Sequence, residues 1–134
     1  MPANATALKQ LFFDHDGLLI ASPEYNSSLT PLLKNTIDWV SRKADDESPL
    51  QAFTGKAAAL LAASPGQFGG LRGLVHVRSI LGNIGVHVLP RQLVIPQAHQ
   101  AFYSHPQLKD PKQQTAAESL GAELVRLVNR LASS

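Results

Sequence analysis

Residues 17–42 have the sequence GLLIASPEYNSSLTPLLKNTIDWVSR, and the pattern within this stretch decides the fold class. It opens with an apolar run at 17–21, which is bounded by polar segments and predicts a buried strand. A polar loop at 22–28 follows directly. Because ligands of open α/β sheets bind just beyond the carboxyl ends of the strands, this loop lies where a binding site is expected.

A helix is predicted directly after this loop, over residues 31–42. Thr30 and Pro31 are residue types favoured at the N-cap and at the first helical position. Apolar side chains recur at four- and three-residue intervals and give the helix one buried face, formed by Leu33, Ile37 and Val40. Trp39 lies beside this face, and we expect it in the core or at a subunit interface rather than stacked on a ligand.

The remaining chain alternates between predicted strands and helices. Residues 56–63 are rich in alanine, which favours a helix, but their position between a turn and a glycine-rich loop favours a buried strand, and we expect a strand. This order of elements predicts a single α/β domain over residues 1–134 with a parallel sheet. The other predicted elements are a helix at 5–13, a helix at 70–84 capped by Gly85, a strand over 86–95 interrupted at Pro90, a loop at 96–111 and a helix at 113–132.

The composition excludes several classes of protein. The chain has 134 residues, a formal net charge of +2, no cysteine and only scattered basic residues. Without cysteine these residues form neither disulfides nor thiolate metal sites. The weak charge does not support nucleic-acid binding, and no apolar run reaches the ~18 residues of a membrane helix. No secretory signal pattern is visible at the start, so we expect a cytoplasmic protein.

The polar residues that often carry catalysis form no catalytic or metal-binding pattern. The five histidines lie in different predicted elements, without the paired spacing of metal ligands. Asp14 and Asp16 are expected to form a solvated turn, since no third ligand follows them. We interpret Ser22 and Ser64 as hydrogen-bond donors of loops rather than nucleophiles, and Arg78 as a structural or interfacial residue.

A second loop, SPGQFGG at residues 64–70, follows the predicted strand at 56–63. Glycine lets the backbone approach a ligand closely, and the N-terminus of the helix that follows favours negative charge. Taken alone, this loop is equally compatible with a plain turn.

Two motifs together resemble the NADPH-dependent FMN reductase family, which includes azoreductases, quinone reductases and chromate reductases. The first is the unbroken stretch 22–42, in which Ser-Pro-Glu-Tyr-Asn is followed by Leu-Lys-Asn-x-x-Asp-Trp-x-Ser-Arg; the second is SPGQFGGLR at 64–72. The resemblance extends from about Ala7 to the end of the chain. It implies a flavodoxin-like fold, that is, an open parallel sheet with helices on both faces.

The same resemblance implies a flavin site and no catalytic side chain, because hydride chemistry belongs to the cofactor. In the family, the loop that corresponds to 22–27 holds the isoalloxazine ring, and the loop at 64–70 flanks the pocket near the entry of the nicotinamide cofactor. FMN and NADPH or NADH are the expected cofactors, and a quinone, an azo compound or a similar small molecule is the expected electron acceptor. Arg72 is expected to meet either a phosphate of NADPH or a carboxylate across a subunit boundary. The expected cofactor-binding residues are Pro23, Glu24, Tyr25, Asn26, Ser64, Gly66, Gln67, Gly69, Gly70 and Arg72.

One part of the family pattern does not occur in these residues. The family begins with a first strand and a loop of the type Gly-Ser-x-Arg-x-x-Ser-x-Asn that wraps the FMN phosphate, whereas this sequence begins at the equivalent of the helix before the third strand. We therefore expect about three strands, with the strand at 17–21 at an edge, where it invites pairing with another chain. We expect either a fragment of a longer protein or a shortened homologue.

These observations leave three functional hypotheses. The first is an NAD(P)H-dependent FMN reductase that forms homodimers or homotetramers, as family members commonly do. The second is a non-enzymatic homologue that acts as an oligomerising interaction module without flavin, which the lack of the phosphate loop favours. The third, a one-electron carrier, is disfavoured because such carriers are usually strongly acidic and this chain has 12 basic against 10 acidic residues.

Overall fold

Three strand positions form the sheet. The computed structural model describes residues 1–134, and in it β1 (Gly17–Ala21) pairs in parallel with β2 (Ala57–Ala63). On the other side of β2 lie β3 (His87–Val88) and β4 (Leu93–Ile95), which occupy one strand position in succession and are also parallel to β2. This order makes β2 the central strand and β1 an edge strand, as the sequence predicts.

The helices cover both faces of this sheet. The expected α/β class with a parallel sheet is therefore confirmed. The shortest helix was not expected, because four residues carry too little periodicity to mark a helix within the predicted loop at 96–111. The helices are α1 (Ala3–Asp14), α2 (Pro31–Val40), α3 (Leu71–Asn83), α4 (Ala98–Ala101) and α5 (Pro111–Ala132).

Side chains of β2 alternate between two cores. Ala58 and Leu60 point into the larger core, which is formed with α1, α2 and α3. Ala57 and Ala59 point into a smaller core, which is formed with α5. Because both faces of the strand are covered, it is apolar throughout, as is typical of a central parallel strand. The prediction of a strand rather than a helix for the alanine-rich run is confirmed.

The local signals that begin and end the helices act as expected. Thr30 Oγ1 accepts a hydrogen bond of 3.1 Å from Leu33 N–H and so caps α2. The Asp110 side chain caps α5 in the same way, so this helix begins at Pro111, ahead of the predicted start. Gly85 follows α3 with a φ of +87°, the left-handed conformation of a helix C-terminal cap.

Two residues of uncertain role in the sequence have defined surroundings. The Arg78 guanidinium donates to Leu89 O at 2.8 Å and to Gln92 Oε1 at 2.9 Å, so it fixes the connection between β3 and β4 and has a structural role. Trp39 is half-buried outside both cores, and the Arg42 guanidinium lies 5.8 Å from its ring centroid. The core alternative for Trp39 is therefore wrong, and its place at a subunit interface stays a prediction.

None of the helices combines the length and the apolar character that crossing a membrane requires.

Candidate functional site

The loops that follow β1, β2 and β4 lie at the same edge of the sheet, because all strand pairings are parallel. We name residues 22–28 the first loop and residues 64–70 the second loop. In the first loop, Ser22 N–H donates to Leu61 O at 3.0 Å and its hydroxyl donates to Pro23 O at 3.3 Å. Both predicted site loops therefore lie at the carboxyl ends of neighbouring strands, where ligands of such sheets bind.

A tight turn closes the first loop. Tyr25 and Ser28 exchange two backbone hydrogen bonds of 2.9 and 3.0 Å, and the residues between them, Asn26 and Ser27, have φ values of 50° and 68°. Two successive positive φ values are typical of a type I′ turn, in which asparagine is favoured. Ser27 has no such advantage, and its conformation costs on the order of 1 kcal/mol. The surrounding contacts must therefore hold this turn in place.

Glu24 connects the first loop to α3. Its carboxylate is 8% exposed, and Oε1 accepts from Arg72 Nε at 2.8 Å and from Arg72 Nη2 at 2.7 Å. Oε2 accepts from the Arg72 backbone N–H at 3.1 Å, so the carboxylate also caps the start of the helix. The same guanidinium lies 5.4 Å from the Phe68 ring centroid. Arg72 thus meets a carboxylate of its own chain, which neither sequence-based expectation for it includes.

Two further contacts place the first loop along α3. A Cβ at Gly73 would lie 3.0 Å from Ser28 O and 3.4 Å from Glu24 Cα, so the close approach of loop and helix favours glycine there. Ser28 Oγ and His76 Nδ1 form a hydrogen bond of 2.7 Å. The first loop is therefore fixed to the first two turns of α3 at three points.

The second loop depends on its own glycines and serine. Ser64 Oγ accepts a hydrogen bond of 3.2 Å from Gly66 N–H, so it acts as an acceptor rather than as the expected donor. Gly69 and Gly70 have φ values of 61° and 92°, and a Cβ on Gly70 would lie only 2.7 Å from Ala62 Cβ. Gly69 lets the backbone pass close to the end of β4, and Gly70 lets it pass close to the end of β2, before α3 begins.

The two loops present backbone donors that no protein group uses. Since an amide N–H seeks an acceptor, these groups are available to the carbonyl oxygens and ring nitrogens of a flat heterocycle. Arg72 is the only basic residue of the 22–28 and 64–72 segments, and Glu24 already balances its charge. The arrangement therefore fits a polar ring edge and offers no free cation to a phosphate. The donors without a protein acceptor are the N–H groups of Glu24, Asn26, Ser27, Gln67, Phe68 and Gly70.

An apolar cleft of about 510 Å³ adjoins the first loop on the side of α5. No charged side chain lines it, and its volume is in the range of small-molecule sites. One wall is a loop in which Phe102 and Leu108 form an isolated antiparallel bridge. Phe102, Pro106 and Leu108 were not among the predicted site residues, since the loop at 96–111 shows no periodicity. The only signal for them is topological, because this loop follows a strand that ends at the same edge.

All the predicted cofactor-binding residues lie in these two loops or, for Arg72, at the start of α3. Tyr25 is 56% exposed and Phe68 51% exposed, so two aromatic faces border the site. Pro23 lines the apolar cleft. The side chains of Glu24 and Arg72 differ from the rest because they bind each other.

The family model for NADPH-dependent FMN reductases matches residues 1–100. The chain belongs to this family. An NAD(P)H-dependent FMN reductase of Pseudomonas aeruginosa is 45% identical over 98 residues, which are 72% of this chain and 50% of that protein. A quinone reductase of Escherichia coli K12 is 41% identical over 80 residues, which are 60% of this chain and 40% of that protein. The chain spans about half the length of the curated relatives it matches.

Solved structures confirm the flavodoxin-like fold that the resemblance implies. The flavoenzyme NAD(P)H:(acceptor) oxidoreductase FerB of Paracoccus denitrificans superimposes with a TM-score of 0.75 at 26% identity, over 98% of this chain and 69% of that one. An NADPH-quinone reductase of P. pentosaceus has a TM-score of 0.56 at 20% identity, over 96% of this chain and 74% of that one, and supports the fold alone.

Proposed function

We propose that this chain is the flavin-holding part of an NAD(P)H-dependent FMN reductase that passes electrons to a small-molecule acceptor such as a quinone. The observation that carries the proposal is the set of free backbone N–H groups at the junction of the two loops. These loops are also the segments that contain the family motifs. The names of the P. aeruginosa and E. coli relatives support both the cofactor and the quinone acceptor.

Within this proposal the chain binds and orients the flavin ring. When bound, FMN supplies the redox chemistry, taking up a hydride from the nicotinamide and releasing two electrons to the acceptor. Asn26 and Gln67 offer backbone donors to the ring edge. Tyr25 and Phe68 offer aromatic faces. A cytoplasmic location and a homo-oligomeric state stay predictions.

The second candidate is an interaction module that binds no flavin. One observation favours it, namely that Arg72, the only cation of residues 22–28 and 64–72, is neutralised by Glu24. Phosphate groups are held mainly by charge-assisted hydrogen bonds, so FMN loses a large part of its usual affinity if these residues alone must hold it.

The experiment that separates the two candidates is a flavin uptake assay. The purified chain is mixed with excess FMN, passed over a gel-filtration column and examined by visible absorption, and bound flavin is then reduced with NADH or NADPH in the presence of a benzoquinone. The proposed reductase retains flavin and oxidises the nicotinamide. A colourless protein that takes up no flavin contradicts the proposal and favours the interaction module.

A further inference from the structure

We propose that Glu24 and Arg72 form a clamp that positions the first loop for the flavin ring, without either side chain contacting the flavin. This inference rests on the proposed function, and it changes the expected role of two predicted cofactor-binding residues. Both become positioning residues, which affect flavin binding only by holding the backbone N–H donors of the loop in place.

Arg72 engages the whole carboxylate of Glu24. Both oxygens are engaged, Oε1 with two guanidinium nitrogens and Oε2 with the Arg72 backbone N–H, at 2.7 to 3.1 Å. With 8% of its side chain exposed, this carboxylate has little surface left for a ligand. Charge-assisted bonds of this kind are among the stronger contacts in proteins, so the pair is built to hold one geometry.

The conformation of the first loop explains why a clamp is needed. Its turn places Ser27, a residue with no preference for positive φ, at 68°, and leaves the N–H groups of Glu24 and Asn26 unpaired. Such a loop has few bonds of its own, and the strained turn persists only where outside contacts determine it. The Ser28–His76 hydrogen bond holds the far end of the turn, while Glu24 holds the near end.

The clamp also reaches the second loop. Arg72 is the second residue after that loop, and its guanidinium lies 5.4 Å from the Phe68 ring centroid while it binds Glu24. A single guanidinium therefore fixes the relative position of the two sets of free N–H donors. Loss of either charged partner should misplace both sets together.

The test is a double-mutant cycle in FMN affinity, with Glu24→Gln, Arg72→Gln and the double variant, each titrated by quenching of FMN fluorescence. A glutamine at position 24 replaces one of the two acceptor oxygens by an NH2 donor, so it cannot accept from the guanidinium and the helix N–H in the wild-type geometry. We expect each single variant to bind FMN about tenfold more weakly, and the double variant to bind no more weakly than the worse single variant. Arg72→Lys, which keeps the charge but replaces the guanidinium fork by a single donor nitrogen, should recover part of the loss.

Additive losses, or single variants within about twofold of the wild type, would overturn the clamp, because independent contacts to the flavin multiply their effects. The matched control is Glu123→Gln, which removes the 2.6 Å ion pair with Arg91 between α5 and the connection to β4. Its FMN affinity should be unchanged, and its thermal midpoint shows how much of any effect comes from the loss of a surface ion pair alone.

Amide hydrogen exchange without flavin separates failure of the clamp from failure of the proposed function. In Glu24→Gln, the amides of Tyr25, Ser28 and Arg72 should exchange about tenfold faster, while Glu123→Gln leaves them unchanged. If the wild type takes up no FMN, the proposed function fails and the exchange rates alone decide whether the clamp exists. Unchanged exchange at these amides would overturn it.

Discussion

Gly70 and Gly121 are two glycines whose replacement should have opposite effects. Gly70 has a φ of 92°, and a Cβ there would lie 2.7 Å from Ala62 Cβ, whereas a Cβ on Gly121, inside α5, meets no atom within 4 Å. We expect Gly70→Ala to lower the free energy of unfolding by about 1–3 kcal/mol through crowding and strain. Gly121→Ala should raise it by about 0.5–1 kcal/mol, because alanine favours the helix. Urea unfolding measures both, and an unaffected Gly70→Ala variant would contradict the crowding.

A buried ion pair away from the site makes stability depend on pH. Lys9 is 4% exposed, and its ammonium donates to the Glu47 carboxylate and to Arg42 O. The hydrogen bond from Lys9 to the Glu47 carboxylate is the main reason why the pKa of Glu47 is lowered from its ordinary value of 4.5. Because the folded-state pKa is depressed, the stabilisation is complete above that ordinary value and is lost as the pH falls through the folded pKa.

Glu47→Gln should therefore destabilise the protein at neutral pH, where it leaves the buried Lys9 charge without its partner. The difference in melting temperature from the wild type should shrink as the pH falls below the ordinary glutamate pKa of 4.5. Thermal melts over the range from about pH 7 to about pH 3 measure this difference. A constant difference over that range would show that the pair does not control the acid sensitivity.

At the scale of single residues, the sequence predicts which two loops lie side by side but not how their residues pair. Glu24 and Arg72 stand in motifs that follow neighbouring strands, and the parallel order brings those motifs together. Their mutual bond depends on the path of the first loop, which turns on the positive φ values of Asn26 and Ser27. Residue propensities do not predict that conformation at serine. The contact between Glu24 and Arg72 can therefore be found only from the structure.

Among the elements, α5 is the only helix that contributes to the smaller core. Leu120 is 1% exposed in that core, while Val125 on the same helix is 59% exposed. We expect Leu120→Ala to lower the free energy of unfolding by about 2–5 kcal/mol, since it leaves a cavity. Val125→Ala should change it by no more than about 0.5 kcal/mol. Urea unfolding measures the free energy of unfolding of both variants. Equal losses of stability would show that helix propensity rather than packing determines what α5 contributes to stability.

Elements with strong periodicity, clear caps or an informative position between turns could be predicted, and elements without these signals could not. α2 and α5 have both an apolar face and a capping side chain, and their positions agree with prediction. β2 was predicted from its neighbours rather than its composition, and burial on both faces explains why alanine suits it. The short α4 and the wall of the apolar cleft depend on tertiary contacts within an aperiodic loop, so no local signal marks them.

For the molecule as a whole, the charge distribution at the site predicts how much the phosphate of FMN contributes to its binding affinity. The free donors suit the ring, whereas Arg72 is already neutralised by Glu24. Riboflavin, which lacks the phosphate, should therefore bind within about threefold of FMN, because a phosphate held by charged groups would add a factor of about ten or more. Parallel fluorescence titrations measure the ratio. FMN affinity more than about tenfold above that of riboflavin would reveal a phosphate site that the two loops do not explain.

The open edge of the sheet predicts self-association of the chain. β1 pairs only with β2, so its other side presents unpaired backbone groups, and Leu19 on this strand is 59% exposed. Leu11 on α1, 55% exposed, adds apolar surface beside the edge in a groove of about 330 Å³. An apolar edge strand with these features readily pairs with a second copy.

A charge placed on that strand should prevent the pairing, since lysine at an edge is the common natural protection against it. We expect the wild type to sediment as an oligomer and Leu19→Lys to sediment as a monomer in analytical ultracentrifugation. Val125→Lys is the matched control, because Val125 is also 59% exposed but lies on α5 rather than at the edge. If Leu19→Lys does not change the sedimentation, or if Val125→Lys changes it equally, copies of the chain do not meet through β1.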